Sequence, residues 1–205
     1  MPAGLVVGED GLARCAWGAG AAPGADADRY RAYHDTEWGR AVVDDRALFE
    51  RLSLEGFQSG LAWITILRKR DHFRAAFAEF DWTIVAAFDE RDVDRLLADA
   101  GIVRHRGKIE ATIANARAMP TVIAQHGSLT DLVWSHAPAR QRVPRRLEDV
   151  PSTTPESVAL AKALKACGFR FIGPTTAYAA MQAVGVVDDH LDGCHARAAC
   201  EAARP

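Results

Sequence analysis

The sequence predicts an all-α protein, and three observations support that prediction. Apolar residues recur at helical spacing along most of the chain, for example through residues 89–101. Residues that cap, start or stop helices stand at the ends of these periodic segments. No run of alternating apolar and polar residues is long enough to predict a strand.

Eight helices can be placed along the chain in this way. Five are read from periodicity and are predicted over residues 44–57, 60–69, 71–78, 107–118 and 174–184. Three more carry start signals, because Asp89, Ser128 and Thr154 are each positioned to cap a first helical turn. Gly101 and Gly168 follow the last apolar positions of two of these, where glycine commonly ends a helix.

The domain organisation follows from two segments that lack helical periodicity, residues 18–27 and residues 137–151, both predicted as surface loops. The helices between them would form a central lobe, approximately residues 40–136. The chain ends, approximately residues 14–39 and 150–194, would build a second lobe together. Because 49% of the 205 residues are hydrophobic, we treat residues 1–205 as one domain with these two lobes.

Charge and hydropathy limit the possible partners. The net charge of −2 gives no overall basic field, although a local patch could still contact nucleic-acid phosphates. No apolar stretch approaches the roughly 18 residues of a membrane span, so no membrane association is expected. The first residues, MPAGLVVGEDGLAR, do not resemble a signal peptide. We therefore expect a cytoplasmic protein.

The four cysteines need an explanation other than disulfides, which a reducing cytosol disfavours. Cys167 is expected to pack as a small buried hydrophobic residue, and Cys200 lies in an alanine-rich tail without an evident role. Cys15 and Cys194 then remain as candidates for metal binding.

The segment HLDGC places His190 and Cys194 four positions apart, which could bring an imidazole and a thiolate onto one face of a helix or turn. A closed structural zinc site requires four ligands. His34, 19 positions after Cys15, is the best-placed remaining imidazole.

Residues 99–109, DAGIVRHRGKI, predict a tight turn between two helices. Backbone amides at such a turn, helped by the dipole of the second helix, can bind a phosphate group. A plain helix corner with solvated charges is an equally good interpretation of the residues alone. The glycines and cations concerned are Gly101, Arg104, Arg106, Gly107 and Lys108.

Two further segments combine aromatic and acidic residues. YHDTEWG, residues 33–39, contains Tyr33 and Trp38 and would normally be read as part of a core. LEGFQSGLAW, residues 54–63, places Glu55 among large apolar side chains. That carboxylate either faces solvent or is kept buried because a ligand requires it, and the residues alone favour the solvent-facing alternative.

These segments together resemble a known family. RCAWG, YHDTEWG, LEGFQSGLAWITIL, DAGIVRHRGKI, MQAVGVVDDH and GC follow one another in the order and spacing of the bacterial DNA-3-methyladenine glycosylase I family. The resemblance covers roughly residues 14–194. It implies the fold of the helix-hairpin-helix glycosylases, with the helix-hairpin-helix at residues 92–118.

The resemblance also implies a ligand set for one structural Zn²⁺ per chain that pins the chain ends together. The matching positions are Cys15, His34, His190 and Cys194. With four protein ligands the site would be closed and non-catalytic. His195, beside Cys194, is an alternative ligand.

Tyr33, Glu55, Trp63 and Trp17 match residues that line the base pocket of the family, and Glu55 is the residue expected to read the base. The resemblance favours the phosphate-binding interpretation of residues 99–109. The chain departs from the family pattern at Phe57 and Ser59, which leaves open the residue that fills the DNA stack. A further departure, DDH in place of NDH, puts an acid at position 188 and leaves the ligands intact.

The implied activity is extrusion of 3-methyladenine from double-stranded alkylated DNA and hydrolysis of its N-glycosylic bond, which leaves an abasic site. Free 3-methyladenine would be the product, and the enzyme would act as a monomer. Because the pocket motifs contain no lysine that could form a Schiff base, we expect a monofunctional glycosylase. The alternatives are a non-catalytic protein that binds damaged DNA and, more remotely, a zinc hydrolase.

Overall fold

The computed structural model describes residues 4–19 and 24–205, and this part of the chain is mostly helical. Two short strands are followed by eleven α-helices in the described part. The strands are β1 (Leu5–Val7) and β2 (Ala13–Cys15), and the helices are α1 (Ala16–Ala19), α2 (Ala25–Thr36), α3 (Asp45–Gln58), α4 (Trp63–Ala76), α5 (Trp82–Val85), α6 (Glu90–Ala98), α7 (Arg106–His126), α8 (Leu129–Trp134), α9 (Pro155–Ala166), α10 (Pro174–Ala183) and α11 (Arg197–Ala202).

The β1–β2 hairpin corrects the prediction of a purely helical chain. The strands pair antiparallel, with Leu5 opposite Cys15 and Val7 opposite Ala13. Each strand has three residues, which is too short to show the alternation by which strands are recognised. Pairing and burial stabilise them instead, since Arg14 and Cys15 are both buried.

Several helix boundaries also differ from the prediction. Residues 60–69 and 71–78 were expected as two helices, but α4 runs without interruption from Trp63 to Ala76 because no helix breaker separates them. The predicted helix at 107–118 extends to His126. The expected loop at 18–27 is partly helical, since its ends belong to α1 and α2, and its residues 20–23 lie outside the described part.

The predicted caps are confirmed. The side chains of Asp89, Ser128 and Thr154 each accept a hydrogen bond from a backbone N–H in the first turn of α6, α8 and α9. Residues 137–151 contain only a short 3-10 turn at Leu147–Asp149 and otherwise form the expected loop.

Helix α3 lies at the centre of the main core and packs against α4, α7, α8 and α10. Phe57 in its last turn is fully buried, with its ring centroid 4.7 Å from that of Phe73 and 5.7 Å from that of Phe77. Burial of such aromatic rings contributes strongly to stability. Glu55, two positions earlier, is therefore carried on a rigid element.

A second, smaller apolar cluster brings the two ends of the chain together. It consists of Cys15, Leu191, Cys194 and Ala196, with Leu5 and Trp17 packed against it. None of the helices in residues 4–19 and 24–205 is long and apolar enough to cross a membrane.

Candidate functional site

A cleft of about 300 Å³ opens beside the C-terminal end of α3. Its walls come from α1, α2, α3, α4 and α10, so both chain ends and the centre of the chain contribute to it. All four pocket residues expected from the sequence lie together here. The lining residues are Trp17, Tyr30, Tyr33, Trp38, Glu55, Gln58, Trp63, Ala179 and Gln182.

Aromatic rings form most of the cleft wall. The ring centroids of Trp17 and Trp38 are 4.8 Å apart in a perpendicular arrangement, and those of Tyr33 and Trp63 are 5.3 Å apart. Tyr30 lies against Trp17 and accepts a hydrogen bond from a backbone N–H of α4. Flat apolar walls of this kind suit a planar ligand.

Tyr30 and Trp38 are pocket residues that the sequence analysis did not assign. Trp38 belongs to the YHDTEWG segment, and Tyr30 stands three residues before Tyr33 on α2, one helical turn away. That spacing was the available signal. The spacing does not distinguish a core position from a cleft position, because an aromatic side chain on this helix face is compatible with both.

Glu55 is the acidic group of the cleft. Its side chain is only 6% exposed, and no hydrogen bond reaches its carboxylate from any residue of the described chain. Burial raises the pKa of Glu55 to about 8, and the charge of Arg51 opposes that rise only weakly. The solvent-facing alternative is therefore wrong, and the carboxyl group is mostly neutral at pH 7 in the empty cleft.

Arg51 donates a hydrogen bond to Glu37 and none to Glu55 among the described residues. The Glu37 carboxylate accepts hydrogen bonds at 2.6 Å from Arg51 Nη2 and at 2.6 and 2.8 Å from the Nη1 and Nη2 atoms of Arg70. Burial opposes ionisation of Glu37, but these hydrogen bonds outweigh it and lower its pKa to about 2. Glu37 is therefore ionised, whereas Glu55 at the wall of the cleft is mostly neutral at pH 7.

The four expected metal ligands lie next to the cleft. The ligand atoms of Cys15, His34 and Cys194 lie within 4.8 Å of one another, and Cys194 Sγ is 3.5 Å from His34 Nε2. His190 lies outside this trio, but the centroid of its ring is 4.9 Å from that of His34. Its Nε2 atom is buried without a hydrogen-bond partner, as an unfilled ligand position would be.

The groups behind these side chains also fit a metal centre. Asp35 Oδ1 lies 2.8 Å from His34 Nδ1, and Asp188 Oδ1 lies 2.8 Å from His190 Nδ1, which leaves both Nε2 atoms free to act as ligands. The N–H of Leu191 donates to Cys15 Sγ at 3.3 Å, a contact that stabilises a thiolate.

The alternative ligand His195 is placed differently. Its Nε2 atom contacts Asp35 Oδ1 at 2.9 Å, so it shares the carboxylate that orients His34. His195, Asp35 and His34 form a second group of potential ligand atoms. The two cysteines belong only to the first group, and a site with soft sulfur ligands suits zinc better.

The turn between α6 and α7, residues 99–105, lies where the sequence predicts it. The N–H of Gly101 donates to Asp99 Oδ1 at 2.7 Å and is therefore occupied within the turn. His105 caps α7, because its Nδ1 accepts a hydrogen bond from the backbone N–H of Lys108. Gly107 stands in the first turn of α7.

The cations of this turn depart from expectation. Lys108 is only 8% exposed, and its Nζ donates to the backbone oxygens of Phe57 at 2.8 Å and Ser59 at 2.6 Å. Its side chain thus binds the end of α3 rather than facing solvent. Arg106 forms ion pairs with Glu90, Asp94 and Glu110. Of the three cations, only Arg104 is exposed without an ion pair to any described residue.

Comparison with known proteins places this arrangement in a family. A family model described as methyladenine glycosylase matches residues 24–198. The chain is 50% identical to DNA-3-methyladenine glycosylase 1 of Escherichia coli strain K12 over 167 residues, which cover 80% of this chain and 89% of the relative. It is 46% identical to DNA-3-methyladenine glycosylase of Haemophilus influenzae over 168 residues, 80% of this chain and 90% of the relative.

Solved structures agree with this result. A crystal structure of a 3-methyladenine DNA glycosylase I superposes with a TM-score of 0.77 at 50% identity, covering 82% of this chain and 93% of that one. The Staphylococcus aureus 3-methyladenine DNA glycosylase I, whose structure addresses recognition of 3-methyladenine, gives a TM-score of 0.79 at 34% identity, with 82% and 91% covered. The chain belongs to the methyladenine glycosylase family.

Proposed function

We propose that this protein is a base-excision-repair glycosylase that extrudes 3-methyladenine from DNA, holds it in the aromatic cleft and hydrolyses its N-glycosylic bond. The observation that carries the proposal is Glu55, a buried carboxyl group at the wall of a cleft lined by aromatic rings, with no hydrogen-bond partner in residues 4–19 and 24–205. A polar group left unpaired in this way is costly unless a ligand compensates it. Relatives named for this activity cover most of the chain.

The chemistry demands little of the protein. Methylation gives the adenine of the nucleotide a positive charge, so the base departs readily as a neutral molecule without a strong general acid. The main cost is extrusion, a few kcal/mol, which is lower for a damaged base. Stacking on Trp63 and Tyr33 would return about 1–3 kcal/mol per ring, and a cationic base gains further attraction from the ring faces.

Glu55 is then the group that recognises the lesion. In the empty cleft its raised pKa keeps it largely protonated, whereas an arriving cation favours the carboxylate, and the proton passes to solvent. The carboxylate accepts a hydrogen bond from the exocyclic amino group and stabilises the positive charge. Neutral adenine offers no such compensation and is bound less well.

Bond cleavage requires water and no covalent intermediate. As the N-glycosylic bond breaks, its electron pair moves to the base and neutralises it, while water adds to the anomeric carbon of the sugar and loses a proton. No lysine lines the cleft among the described residues, so none there can form the Schiff base needed for strand cleavage. An abasic site and free 3-methyladenine are the products.

A structural zinc ion completes the proposal. Cys15, His34, His190 and Cys194 would hold it, with Asp35 and Asp188 orienting the two imidazoles. Zinc bound there would link the two ends of the chain and would contribute no catalysis, because four protein ligands leave no place for water. Gly18 serves this site, since a Cβ at that position would lie 2.4 Å from the His34 ring.

Double-stranded alkylated DNA would lie across the turn at residues 99–105, with α6, the turn and α7 acting as the helix-hairpin-helix. Free N–H groups in the first turn of α7 and the exposed Arg104 would contact phosphate. Lys108 and the Gly101 amide are left out of that proposed role because both make internal hydrogen bonds. We further propose that the protein acts as a monomer in the cytoplasm, where bacterial DNA is found.

A base-release assay tests the function. Wild-type protein should liberate 3-methyladenine from methylated duplex DNA, and Glu55→Gln should slow release by at least tenfold, about the contribution of a hydrogen bond to a charged group. Glu148→Gln, in the exposed loop, is the matched control and should behave as wild type. Binding of methylated DNA without release of base would favour the non-catalytic alternative.

A further inference from the structure

We propose that Phe171 stacks on the DNA bases beside the gap left by the extruded nucleotide. This inference rests on the proposed function and deepens it, because it identifies a residue that reads the damaged duplex rather than the base. Phe57, at which the chain departs from the family pattern, is buried in the core and cannot reach DNA.

The backbone of Phe171 is strained without an evident structural return. Its φ of 60° lies in the left-handed region, which glycine and asparagine adopt far more readily than an aromatic residue. Phe80 has a similar φ of 54°, but its ring is fully buried and packs on Phe49 and Phe77. Phe171 remains 46% exposed, so packing of its ring in the core does not offset the strain of its backbone.

The surrounding loop is held firmly in place. Asn115, buried in α7, accepts a hydrogen bond from the N–H of Arg170 at 2.7 Å and donates one to its carbonyl oxygen at 3.2 Å. Phe169 and Ile172, on either side, are buried. Two anchored residues before Phe171 and one after it therefore fix its position, which reduces the entropy lost when its ring meets a ligand.

The location of Phe171 agrees with contact to DNA. Its ring lies beside the proposed hairpin, with its centroid 6.2 Å from that of His105 and its Cζ 3.5 Å from the place of a Cβ on Gly107. Its carbonyl oxygen lies near Gly56, the residue after Glu55. Phe171 thus stands between the phosphate-binding turn and the end of the helix that carries the base reader.

The charges around the ring identify the occupant as nucleic acid. Arg170 and Arg104 are exposed, and neither forms an ion pair within the described part of the chain. Arg170 directly precedes Phe171, and Arg104 directly precedes His105, whose ring is the neighbour of the Phe171 ring. An exposed aromatic ring on a surface that also carries exposed cations suits a stack of bases bordered by phosphates, where an aromatic side chain replaces a missing neighbour.

Duplex binding tests the proposal. Phe171→Gly removes the ring and also suits the left-handed backbone, so it should fold with unchanged or higher thermal stability. We expect it to bind a duplex containing a stable abasic-site analogue on the order of tenfold more weakly than wild type, as for loss of one stacked aromatic. With 2-aminopurine next to the analogue, wild-type protein should change the fluorescence and Phe171→Gly should not.

Three comparisons make the result specific. Phe171→Tyr, which keeps an aromatic ring, should retain wild-type binding and fluorescence. Ile84→Ala removes an equally exposed apolar side chain from α5 and should have no effect. Calorimetric binding of free 3-methyladenine should be unchanged in Phe171→Gly, because the ring does not line the cleft.

Affinity of Phe171→Gly for the analogue duplex within twofold of wild type would overturn the proposal. So would equal weakening of free-base binding, which would show that the ring shapes the cleft instead. Failure of the proposed function is a separate result, seen as wild-type protein that neither binds 3-methyladenine nor releases it.

Discussion

The cluster of Cys15, His34, His190 and Cys194 and the aromatic cleft are neighbouring buried regions that differ in how their polar side chains are paired. In the cluster, carboxylates contact both imidazoles and a backbone N–H binds one sulfur. The buried atoms left without a hydrogen-bond partner there, among the described residues, are His190 Nε2 and Asp188 Oδ2. In the cleft, the Glu55 carboxyl group and Trp63 Nε1 have no partner among the described residues. Carboxylates that hold neighbouring side chains in place indicate a site built around those side chains, whereas a buried carboxyl group without a partner indicates a place kept for a ligand.

The same contrast separates Glu37 from Glu55. Glu37 is held by two arginines and is ionised, whereas Glu55 is buried alone and is largely neutral. Arg51 lies one turn before Glu55 on α3, yet it serves Glu37. Sequence spacing therefore does not reveal which carboxylate is available to a ligand. That information comes from the structure, which shows the carboxylate with which each neighbouring arginine pairs.

Loss of the metal should have the largest effect on the protein. We expect about one zinc per chain on elemental analysis, and Cys194→Ser should lower the free energy of unfolding by more than about 3 kcal/mol because it removes a ligand. Cys167→Ser, a buried cysteine outside the cluster, should cost about 1 kcal/mol and keep the zinc. Full stability of metal-free wild-type protein would contradict the structural role.

Substituting the two glutamates should separate stability from recognition. Glu37→Gln leaves Arg51 and Arg70 without a charged partner and should destabilise the fold by about 2–3 kcal/mol. Glu55→Gln should not destabilise the fold but should weaken binding of 3-methyladenine, measured by calorimetry, by tenfold or more. Wild-type affinity in Glu55→Gln would place recognition elsewhere in the cleft.

The pH dependence of stability should differ in sign between these residues. The pKa of Glu55 rises from 4.5 to about 8 on folding, so its contribution to stability declines as pH increases between those values. The pKa of Glu37 falls from 4.5 to about 2, so its contribution is lost as pH decreases through that range. Thermal unfolding of wild type, Glu55→Gln and Glu37→Gln from pH 3 to 9 measures both.

In that experiment the stability of Glu55→Gln relative to wild type should increase from about pH 5 to pH 8, by a few kcal/mol at most. The deficit of Glu37→Gln should shrink in acid. Parallel pH profiles for all three proteins would show that neither carboxyl group has a shifted pKa.

Charge removal at the hairpin should give the smallest effect. Arg104→Gln should weaken binding to damaged and undamaged duplexes alike, a fewfold, and reduce the salt slope by about one unit. Lys108→Gln should leave that slope unchanged but lower stability, because it removes the hydrogen bonds from the Lys108 ammonium group on α7 to backbone oxygens at the end of α3. A change in salt slope for Lys108→Gln would show that the Lys108 side chain contacts DNA phosphate after all.

Sequence reasoning went furthest where one residue type has few other uses. Capping residues located α6, α8 and α9, since Asp, Ser and Thr before an apolar repeat rarely mean anything else. The resemblance drew Cys15, His34, His190 and Cys194 together, and the structure places these side chains in one region. Both kinds of prediction succeeded because they relied on short segments with a distinctive sequence.

The predictions that the structure did not match concern mainly long side chains, because the sequence does not show where their charged groups lie. Lys108 looked like a surface cation, but its long apolar stem lets the ammonium group reach backbone oxygens inside the protein. Arg106 was assigned to phosphate, yet acids on α6 and α7 pair with it. The strands β1 and β2 escaped detection because each has only three residues, and their pairing with each other, rather than an alternating pattern, defines them.

The union of the chain ends has a consequence for how the enzyme is made. The N–H of Leu191 binds the sulfur of Cys15 across 176 positions of sequence, and the cleft beside it takes Trp17 from one end and Gln182 from the other. Contacts so distant along the chain form late and slowly. During synthesis, α3 and α4 can pack while the rest is still being translated, but a nascent chain cannot recognise damage until its last helices emerge.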